Sequence, residues 1–290
     1  MRKIVILGAN GMLGTDLLGA CKTAFDSEVK GLVHSPEYSD LDISRLDATL
    51  RVIGSLSPDL VIHTAAYTDV DGCEMDPDKA HQINAIGTRN VALACRKAGA
   101  ALVYISSDYV FNGQKKVPYK EWDQPEPISA YGVSKWLGES FVRQLCPRYF
   151  IIRSAWLYGK HGKNFVDTIS RLSRERDHLR VVNDQIGCPT WSADLAGKIV
   201  ELIEVERYGT FHITNSGCCS WYDFACSIIG YQGLAVRVEP VPTDQFPRPA
   251  RRPAYSVLDN YYLRLEGLKP LRSWQEALQA FLNTKDQRSV

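Results

Sequence analysis

The stretch Gly8-Ala9-Asn10-Gly11-Met12-Leu13-Gly14 lies between an apolar run at residues 3–7 and an amphipathic helical pattern at residues 11–24. A glycine-rich loop after a first strand and at the start of a first helix is typical of a dinucleotide-binding fingerprint. Its three glycines allow, in order, a tight turn, the close approach of a pyrophosphate and close packing of the helix. Because helix N-terminal amides carry partial positive charge, the loop predicts nucleotide binding, with a purely structural turn as the alternative.

Further apolar runs rich in Val and Ile alternate with helical patterns along the first half of the chain. The apolar runs cover residues 28–33, 59–63, 101–105 and 149–153, and the helical patterns cover residues 44–56, 78–98 and 129–145. The runs are continuous, which is typical of strands that are buried on both faces. This order predicts an α/β fold with a doubly wound, Rossmann-like parallel sheet.

Beyond residue 155 the helical patterns are separated by loops marked by Pro and Gly. They cover residues 164–175, 193–206, 220–229 and 273–282. We predict a dinucleotide-binding domain at residues 1–155, completed by part of 180–215, and a smaller, mainly substrate-binding C-terminal lobe at residues 156–290. Residues 246–253, Phe-Pro-Arg-Pro-Ala-Arg-Arg-Pro, are its most irregular stretch.

Composition and charge exclude several classes of protein. The 290 residues include 34 Lys plus Arg and 33 Asp plus Glu, so the net charge of +1 favours neither nucleic acid nor an anionic membrane. No apolar run approaches the roughly 18 residues of a spanning helix. The eight cysteines form no Cys-x-x-Cys pair, and a chain of this size needs no disulfide framework. We therefore expect a cytoplasmic protein without nucleic-acid or membrane partners.

Two features place polar side chains where an α/β sheet binds its ligands. Tyr131 and Lys135 share one face of the predicted helix at residues 129–145, and Tyr131 alone among the 14 tyrosines has Lys four residues on. By itself the pair also fits the surface of an amphipathic helix. The strand at residues 101–105, however, continues into Ser107, at the carboxyl edge of the sheet. Together the two features favour a catalytic site.

The second strand ends without the acidic residue that binds the ribose hydroxyls of NAD. Its last residues are Leu32-Val33-His34-Ser35. Because no carboxylate there would repel a 2′-phosphate, NADPH is admissible, with NADH as the alternative. His34 is a candidate contact to that phosphate, although a solvated strand end explains it equally well. Asp42-Ile43 is a candidate cover for the adenine.

These residues resemble the extended short-chain dehydrogenase/reductases, and within them the dTDP-4-dehydrorhamnose reductase family. The resemblance covers nearly the whole chain. It also rests on ordered blocks at residues 65–71 (Ala-Ala-Tyr-Thr-Asp-Val-Asp), 107–111 (Ser-Asp-Tyr-Val-Phe), 153–158 (Arg-Ser-Ala-Trp-Leu-Tyr) and 183–190 (Asn-Asp-Gln-Ile-Gly-Cys-Pro-Thr), and on Arg252-Pro253 with Ser256 and Leu258-Asp259. So many blocks in order are specific for the family, and less specific for the sugar.

The resemblance implies hydride transfer from NADPH to the 4-keto group of a dTDP-4-keto-6-deoxyhexose, giving dTDP-L-rhamnose from dTDP-4-dehydro-L-rhamnose. Ser107, Tyr131 and Lys135 match the catalytic set, with Tyr131 as general acid. With the glycine loop, the candidate cofactor residues are Gly8, Asn10, Gly11, Met12, Leu13, Gly14, His34, Asp42, Ile43, Ala65, Ala66, Tyr67, Asn84, Tyr131 and Lys135. The implied substrate residues are Thr68, Val70, Asp108, Tyr109, Trp156, Asn164, Gln185 and Arg252. We expect the Lys135 ammonium and the nicotinamide to lower the pKa of Tyr131 toward neutrality.

Several alternatives stay open at this stage. Dehydratases of the superfamily carry Asp-Glu where this chain has Asp108-Tyr109, so reduction is favoured over loss of water. Trp156 also fits a core position, and Asn84 also fits a core amide or a helix cap. The function alternatives are an NADP-binding regulatory subunit similar to that of methionine adenosyltransferase, and a reductase of another nucleotide-linked keto sugar. We predict no metal site, and either a monomer or a homodimer.

Overall fold

A computed structural model describes residues 2–25, 27–33 and 41–286. Its strands are β1 Arg2–Leu7, β2 Ser27–Leu32, β3 Leu60–His63, β4 Ala101–Ser107, β5 Tyr149–Ser154, β6 Leu157–Tyr158, β7 His178–Val182, β8 Ile186–Gly187, β9 Thr190–Trp191, β10 Gly209–His212, β11 Cys219–Ser220 and β12 Arg237–Val241. Its helices are α1 Met12–Ala24, α2 Leu46–Leu56, α3 Val70–Met75, α4 Pro77–Ala80, α5 Thr88–Ala98, α6 Ala130–Leu145, α7 Phe165–Glu175, α8 Ser192–Glu204, α9 Trp221–Tyr231, α10 Tyr261–Leu265 and α11 Trp274–Asp286.

The central sheet has six parallel strands in the order β10, β5, β4, β3, β1, β2. Every residue of β3 and β4 is buried, as a parallel sheet covered on both faces requires. Successive residues of β1 face opposite layers: Ile4 and Ile6 pack with α1 and α8, whereas Val5 and Leu7 pack with α2, α5 and α6. The predicted doubly wound sheet is confirmed.

The second half of the chain contributes to this sheet before it forms a lobe of its own. α8 packs against α1, and β10 adds to the sheet beside β5. The lobe has a separate apolar cluster around Tyr158, Phe224, Trp274 and Phe281, from which β7 and β12 extend as a parallel pair. Among the described residues, no helix is long and apolar enough to cross a membrane.

The predicted helix at residues 78–98 is interrupted in the structure. α4 leads into a π-helical segment, His81–Gly87, before α5 begins. Asp76 caps α4 by accepting the Lys79 amide at 3.0 Å. A π-helical turn widens the helix locally and often lies at a functional site. The spacing of apolar residues does not distinguish such a turn from a regular one, and the sequence likewise did not show the short elements α3, β6, β8, β9 and β11.

Candidate active site

The glycine loop has a backbone conformation that side chains would not allow. Gly8 has a φ of +80°, and the amides of Gly8 and Ala9 donate to the Leu32 carbonyl at 2.9 and 3.1 Å. A Cβ on Gly8 would lie 2.7 Å from the Ala65 amide nitrogen, and a Cβ on Gly14 would lie 2.1 Å from the Gly8 carbonyl oxygen. Glycine is therefore required at both positions for the loop to meet α1 and the end of β3.

A cavity of about 440 Å³ opens beside this loop at the carboxyl edge of the sheet. Its lining includes eight of the predicted cofactor residues: Gly8, Asn10, Gly11, Asp42, Ile43, Ala65, Ala66 and Tyr67. Gly11 precedes α1, whose first four residues are Met-Leu-Gly-Thr, so no charged side chain occupies the start of this helix. The amides of Met12, Leu13 and Gly14 have no helical acceptor there and suit a pyrophosphate. The glycine loop and the cavity beside it thus fit a dinucleotide. His34, the predicted contact to a 2′-phosphate, lies outside the described residues.

The predicted catalytic residues meet at the carboxyl end of β4. Ser107 is the last residue of β4, and Tyr131 and Lys135 lie one turn apart near the start of α6. The hydroxyl groups of Ser107 and Tyr131 adjoin each other there. The Lys135 ammonium lies 4.3 Å from the centroid of the Tyr104 ring. The structure therefore brings the three predicted residues together, and their catalytic roles stay a prediction.

Burial dominates the protonation equilibria of this set. Burial raises the pKa of the Tyr131 hydroxyl, and the neighbouring Ser107 hydroxyl acts in the opposite direction. Burial also lowers the pKa of Lys135 to about 7, against the raising effect of the Glu139 carboxylate. Without the nicotinamide, loss of water dominates for both groups. The lowering of the Tyr131 pKa by Lys135 and a bound nicotinamide stays a prediction.

Glu139, one helical turn beyond Lys135, is a buried carboxylate that was not among the residues predicted from the sequence. It accepts hydrogen bonds from Ser106 at 2.7 Å, from Arg153 at 2.8 and 2.7 Å, and from Arg143 at 2.7 Å. Burial acts to raise its pKa, but the two arginines and Ser106 hold it at about 2. Its spacing of four residues from Lys135 is the signal that could have identified it.

Asp108 and Tyr109 follow Ser107 in a short 3-10 turn beside the catalytic set. The Ser107 hydroxyl donates to Asp108 Oδ1 at 3.0 Å and accepts the Tyr109 amide at 3.1 Å. Burial raises the pKa of Asp108 to about 6, against the effect of the neighbouring Ser256 and Ser107 hydroxyls. Tyr109 packs edge-on against Tyr131, with 5.8 Å between the ring centroids.

Asn84 lies in the π-helical segment, and both ends of its side-chain amide are engaged. Its Oδ1 accepts the Tyr67 amide at 2.7 Å. Its Nδ2 donates to the Tyr67 carbonyl at 2.9 Å and to the Ser134 hydroxyl at 3.0 Å. These contacts fit the structural alternative for Asn84. They also connect α6 to the wall of the first cavity, because Tyr67 lines that cavity.

A second cavity, of about 550 Å³, lies in the C-terminal lobe between α7, β7 and residues 246–252. Two of the predicted substrate residues, Gln185 and Arg252, line it. Gln185 donates to the Thr243 hydroxyl at 3.0 Å. Arg252 forms a two-pronged ion pair with Asp71, in which both nitrogen–oxygen distances are 2.9 Å.

Trp156 and Trp221 stack face to face, with 3.4 Å between the ring centroids and 5° between the ring planes. Trp156 has a φ of +47°, a left-handed conformation that is uncommon for a bulky residue. A Cβ on Gly187 would lie 2.4 Å from Trp156 Cε2, so only glycine leaves room for the indole. Trp221 lines the second cavity, and no local pattern in the sequence pointed to it because its partner is distant along the chain.

Three other predicted substrate residues, Thr68, Val70 and Asn164, are not among the residues that line the second cavity. Thr68 is exposed, and Val70 is the first residue of α3. Asn164 caps α7: its Oδ1 accepts the Asp167 amide at 3.0 Å, and its Nδ2 donates to the Gly159 carbonyl at 3.0 Å. The Asn164 side chain thus caps a helix, whereas the sequence predicted a contact to the substrate.

The parallel sheet, the glycine cradle and the Ser-Tyr-Lys set define a Rossmann-type protein with the side chains of a short-chain reductase. A family model, described as RmlD substrate binding domain, matches residues 1–287, and the chain belongs to this family. The spore coat polysaccharide biosynthesis protein SpsK of Bacillus subtilis is 40% identical over 98% of this chain and 98% of its own.

Two solved structures are similar over 98% of this chain and 99% of their own chains. One is a dTDP-4-dehydrorhamnose reductase from Clostridium acetobutylicum, with 45% identity and a TM-score of 0.94. The other is the dTDP-4-dehydrorhamnose reductase from Bacillus anthracis in complex with NADP, with 44% identity and a TM-score of 0.92. The resemblance inferred from the sequence blocks is confirmed.

Proposed function

We propose that this chain reduces the 4-keto group of a dTDP-4-keto-6-deoxyhexose, converting dTDP-4-dehydro-L-rhamnose to dTDP-L-rhamnose. The observation that carries the proposal is the position of α6. Its Tyr131 and Lys135 adjoin Ser107, Asn84 connects α6 to the first cavity, and Tyr109 connects Tyr131 to Arg252 of the second. The names of the two structural neighbours support the same reaction.

The first cavity is the proposed site of NADPH, the cofactor in one of those neighbours. NADPH would supply the hydride. The amides that follow Gly11 would hold the pyrophosphate, and Asp42 and Ile43 would lie against the adenine. Lys135 would hold the ribose near Tyr131. We expect NADPH to be preferred over NADH because β2 ends in Leu32 rather than in an acidic residue.

Tyr131 is the proposed general acid. Its hydroxyl carries a proton at neutral pH, as that of an ordinary tyrosine does, so a proton is present to be donated to the ketone oxygen. Ser107 would donate a second hydrogen bond to that oxygen as negative charge develops there. Lys135, with Glu139 one turn away, would stabilise the tyrosinate that remains after the proton is transferred.

The second cavity is the proposed site of the nucleotide part of the substrate. Gln185 and Arg252 line it, and Arg252 is connected through Tyr109 to the catalytic set. Thr68, Val70, Asp108 and Trp156 are the proposed contacts of the sugar. We also propose a cytoplasmic location, which the eight free cysteines support because thiols persist in a reducing compartment.

The test is a panel of dTDP- and UDP-linked 4-keto sugars, in which NADPH oxidation is followed by absorbance and each product is identified by NMR. The proposal predicts fastest turnover of dTDP-4-dehydro-L-rhamnose and dTDP-L-rhamnose as product. Tight NADPH binding without turnover of any sugar would instead favour the regulatory-subunit alternative. Faster turnover of another keto sugar would show that the protein is a reductase with a substrate other than the one proposed.

A further inference from the structure

Asp71, in the first turn of α3, is bound by the segment at residues 246–253, which we call the proline-arginine segment. Its Oδ1 accepts from Arg252 Nη1 at 2.9 Å and from the Ala250 amide at 3.1 Å. Its Oδ2 accepts from Arg252 Nη2 at 2.9 Å and lies 3.6 Å from Arg248 Nη1. One carboxylate of the dinucleotide-binding half therefore holds two side chains and one amide of the C-terminal lobe.

The proline-arginine segment forms one wall of the second cavity. All of residues 246–253 are described in the structure, and none of them lies in a helix or a strand. Backbone hydrogen bonds fix the chain at its two ends: the Phe246 amide donates to the Thr243 carbonyl, and the Ile186 amide donates to the Ala254 carbonyl. Between these points the Ala250 amide donates to Asp71. The position of this wall therefore depends on the Asp71 carboxylate.

The same carboxylate is connected to the reaction site through Arg252. The Arg252 guanidinium also donates to the Ala250 carbonyl at 2.8 Å and adjoins the Tyr109 side chain. Tyr109 in turn packs edge-on against Tyr131. A two-pronged pair between Arg and a carboxylate fixes the direction of the guanidinium as well as its distance. Movement of Arg252 would therefore disturb both the cavity wall and the ring beside the proposed acid.

We propose that Asp71 is a positioning residue: it holds Arg252 and the proline-arginine segment in place for a nucleoside diphosphate sugar. The expected effect on the KM for the nucleotide sugar rests on the proposed function. Asp71 carries one negative charge, whereas Arg248, Arg251 and Arg252 carry three positive charges. The remaining positive charge suits a diphosphate, and a wall ordered in advance lowers the entropic cost of binding it.

Asp71→Asn keeps the size of the side chain and removes its charge. We expect the KM for the nucleotide sugar to rise at least about tenfold, because the loss of a charged partner releases Arg252. The Kd for NADPH should stay within about twofold, because Asp71 is not among the residues that line the first cavity. Asp71→Glu should recover part of the KM, since it keeps the carboxylate.

Asp76→Asn is the matched control, because it makes the same change of charge at the end of α3. Asp76 caps α4 through the Lys79 amide, and Asn is as good a cap, so KM and fold should both be unchanged. If Asp71→Asn does not fold, Arg252→Lys provides the test, because it keeps the charge but loses the two-pronged pair. An unchanged KM in Asp71→Asn, or in Arg252→Lys in that case, would overturn the proposal.

Limited trypsin digestion without any sugar separates this proposal from the proposed function. Pro249 and Pro253 follow Arg248 and Arg252, so the bond after Arg251 is the one that trypsin can cut in this segment. We expect faster cleavage there in Asp71→Asn than in Asp76→Asn, and protection of the wild type by dTDP. Equal cleavage rates would contradict the proposal. If faster cleavage is found and the wild type reduces no keto sugar, the proposed function fails and the positioning role of Asp71 stands.

Discussion

Tyr131 suits the role of an acid because its proton stays on oxygen at neutral pH. The raised pKa follows from burial, and the adjacent Ser107 hydroxyl can share a bound ketone oxygen with it. A donor that is protonated before the hydride moves can supply the proton that ketone reduction requires.

Tyr131→Phe removes only the hydroxyl, and we expect kcat to fall by about 10² to 10⁴ while NADPH still binds. Ser107→Ala should reduce kcat comparably or less, because the proton source is kept. It should also cost about 1 kcal/mol of stability, since Ser107 accepts the Tyr109 amide. Steady-state kinetics and thermal unfolding measure these effects, with the exposed Tyr231→Phe as control. Near-normal turnover in a folded Tyr131→Phe variant would mean that the acid lies elsewhere.

Lys135 should make stability depend on pH in a specific direction. Its folded pKa is about 7, below the ordinary 10.5, so between these values the unfolded chain binds more protons than the folded one. The contribution of Lys135 to the free energy of unfolding therefore rises with pH over this window. Lys135→Met should remove the rise and stabilise the protein at pH 7 by about 1 kcal/mol. Urea unfolding at pH 7 and pH 9 tests this, with the exposed Lys269→Met as control. An identical pH dependence in Lys135→Met and wild type would contradict it.

At the level of single elements, α1 and its glycine loop show what sequence can and cannot reveal. The spacing of the glycines identified the loop, because a side chain at these positions would clash with nearby backbone atoms or with a bound pyrophosphate. The π-helical segment before α5 and the Trp156–Trp221 stack left no comparable signal, since both depend on contacts between distant parts of the chain. The cap formed by Asn164 was also missed, although Asn three residues before Asp167 is a local pattern.

Three substitutions in this element should behave differently. Gly11→Val should fold, because a Cβ there meets only the Gly8 carbonyl at 3.2 Å, but it should lose NADPH binding because its side chain points to the pyrophosphate position. Gly14→Val should not fold, because its Cβ would lie 2.1 Å from the Gly8 carbonyl oxygen. Exposed Gly19→Ala should bind NADPH normally and gain about 0.5 to 1 kcal/mol of stability. NADPH titration and circular dichroism check all three, and normal binding by Gly11→Val would show that the loop is only structural.

At the scale of the whole molecule, the sheet and its two helical layers could be predicted from the sequence. Continuous apolar runs that alternate with helical patterns are typical of parallel strands buried on both faces. The position of the second cavity did not follow, because it depends on the packing of the lobe around Phe224 and on the pair between Asp71 and Arg252. Such contacts join residues that are far apart in the chain and carry no periodic signal. The division into a dinucleotide-binding domain and a substrate lobe stays a prediction.

The transfer of deuterium from the cofactor to the sugar is the sharpest test of ketone reduction by this protein. NADPH that carries deuterium at the transferred position is incubated with the protein and dTDP-4-dehydro-L-rhamnose, and the product is analysed by NMR and mass spectrometry. We expect dTDP-L-rhamnose with one deuterium, bound to C4, formed at an initial rate lower by about 10² to 10⁴ with Tyr131→Phe. A sugar without deuterium, or deuterium at another carbon, would contradict this expectation.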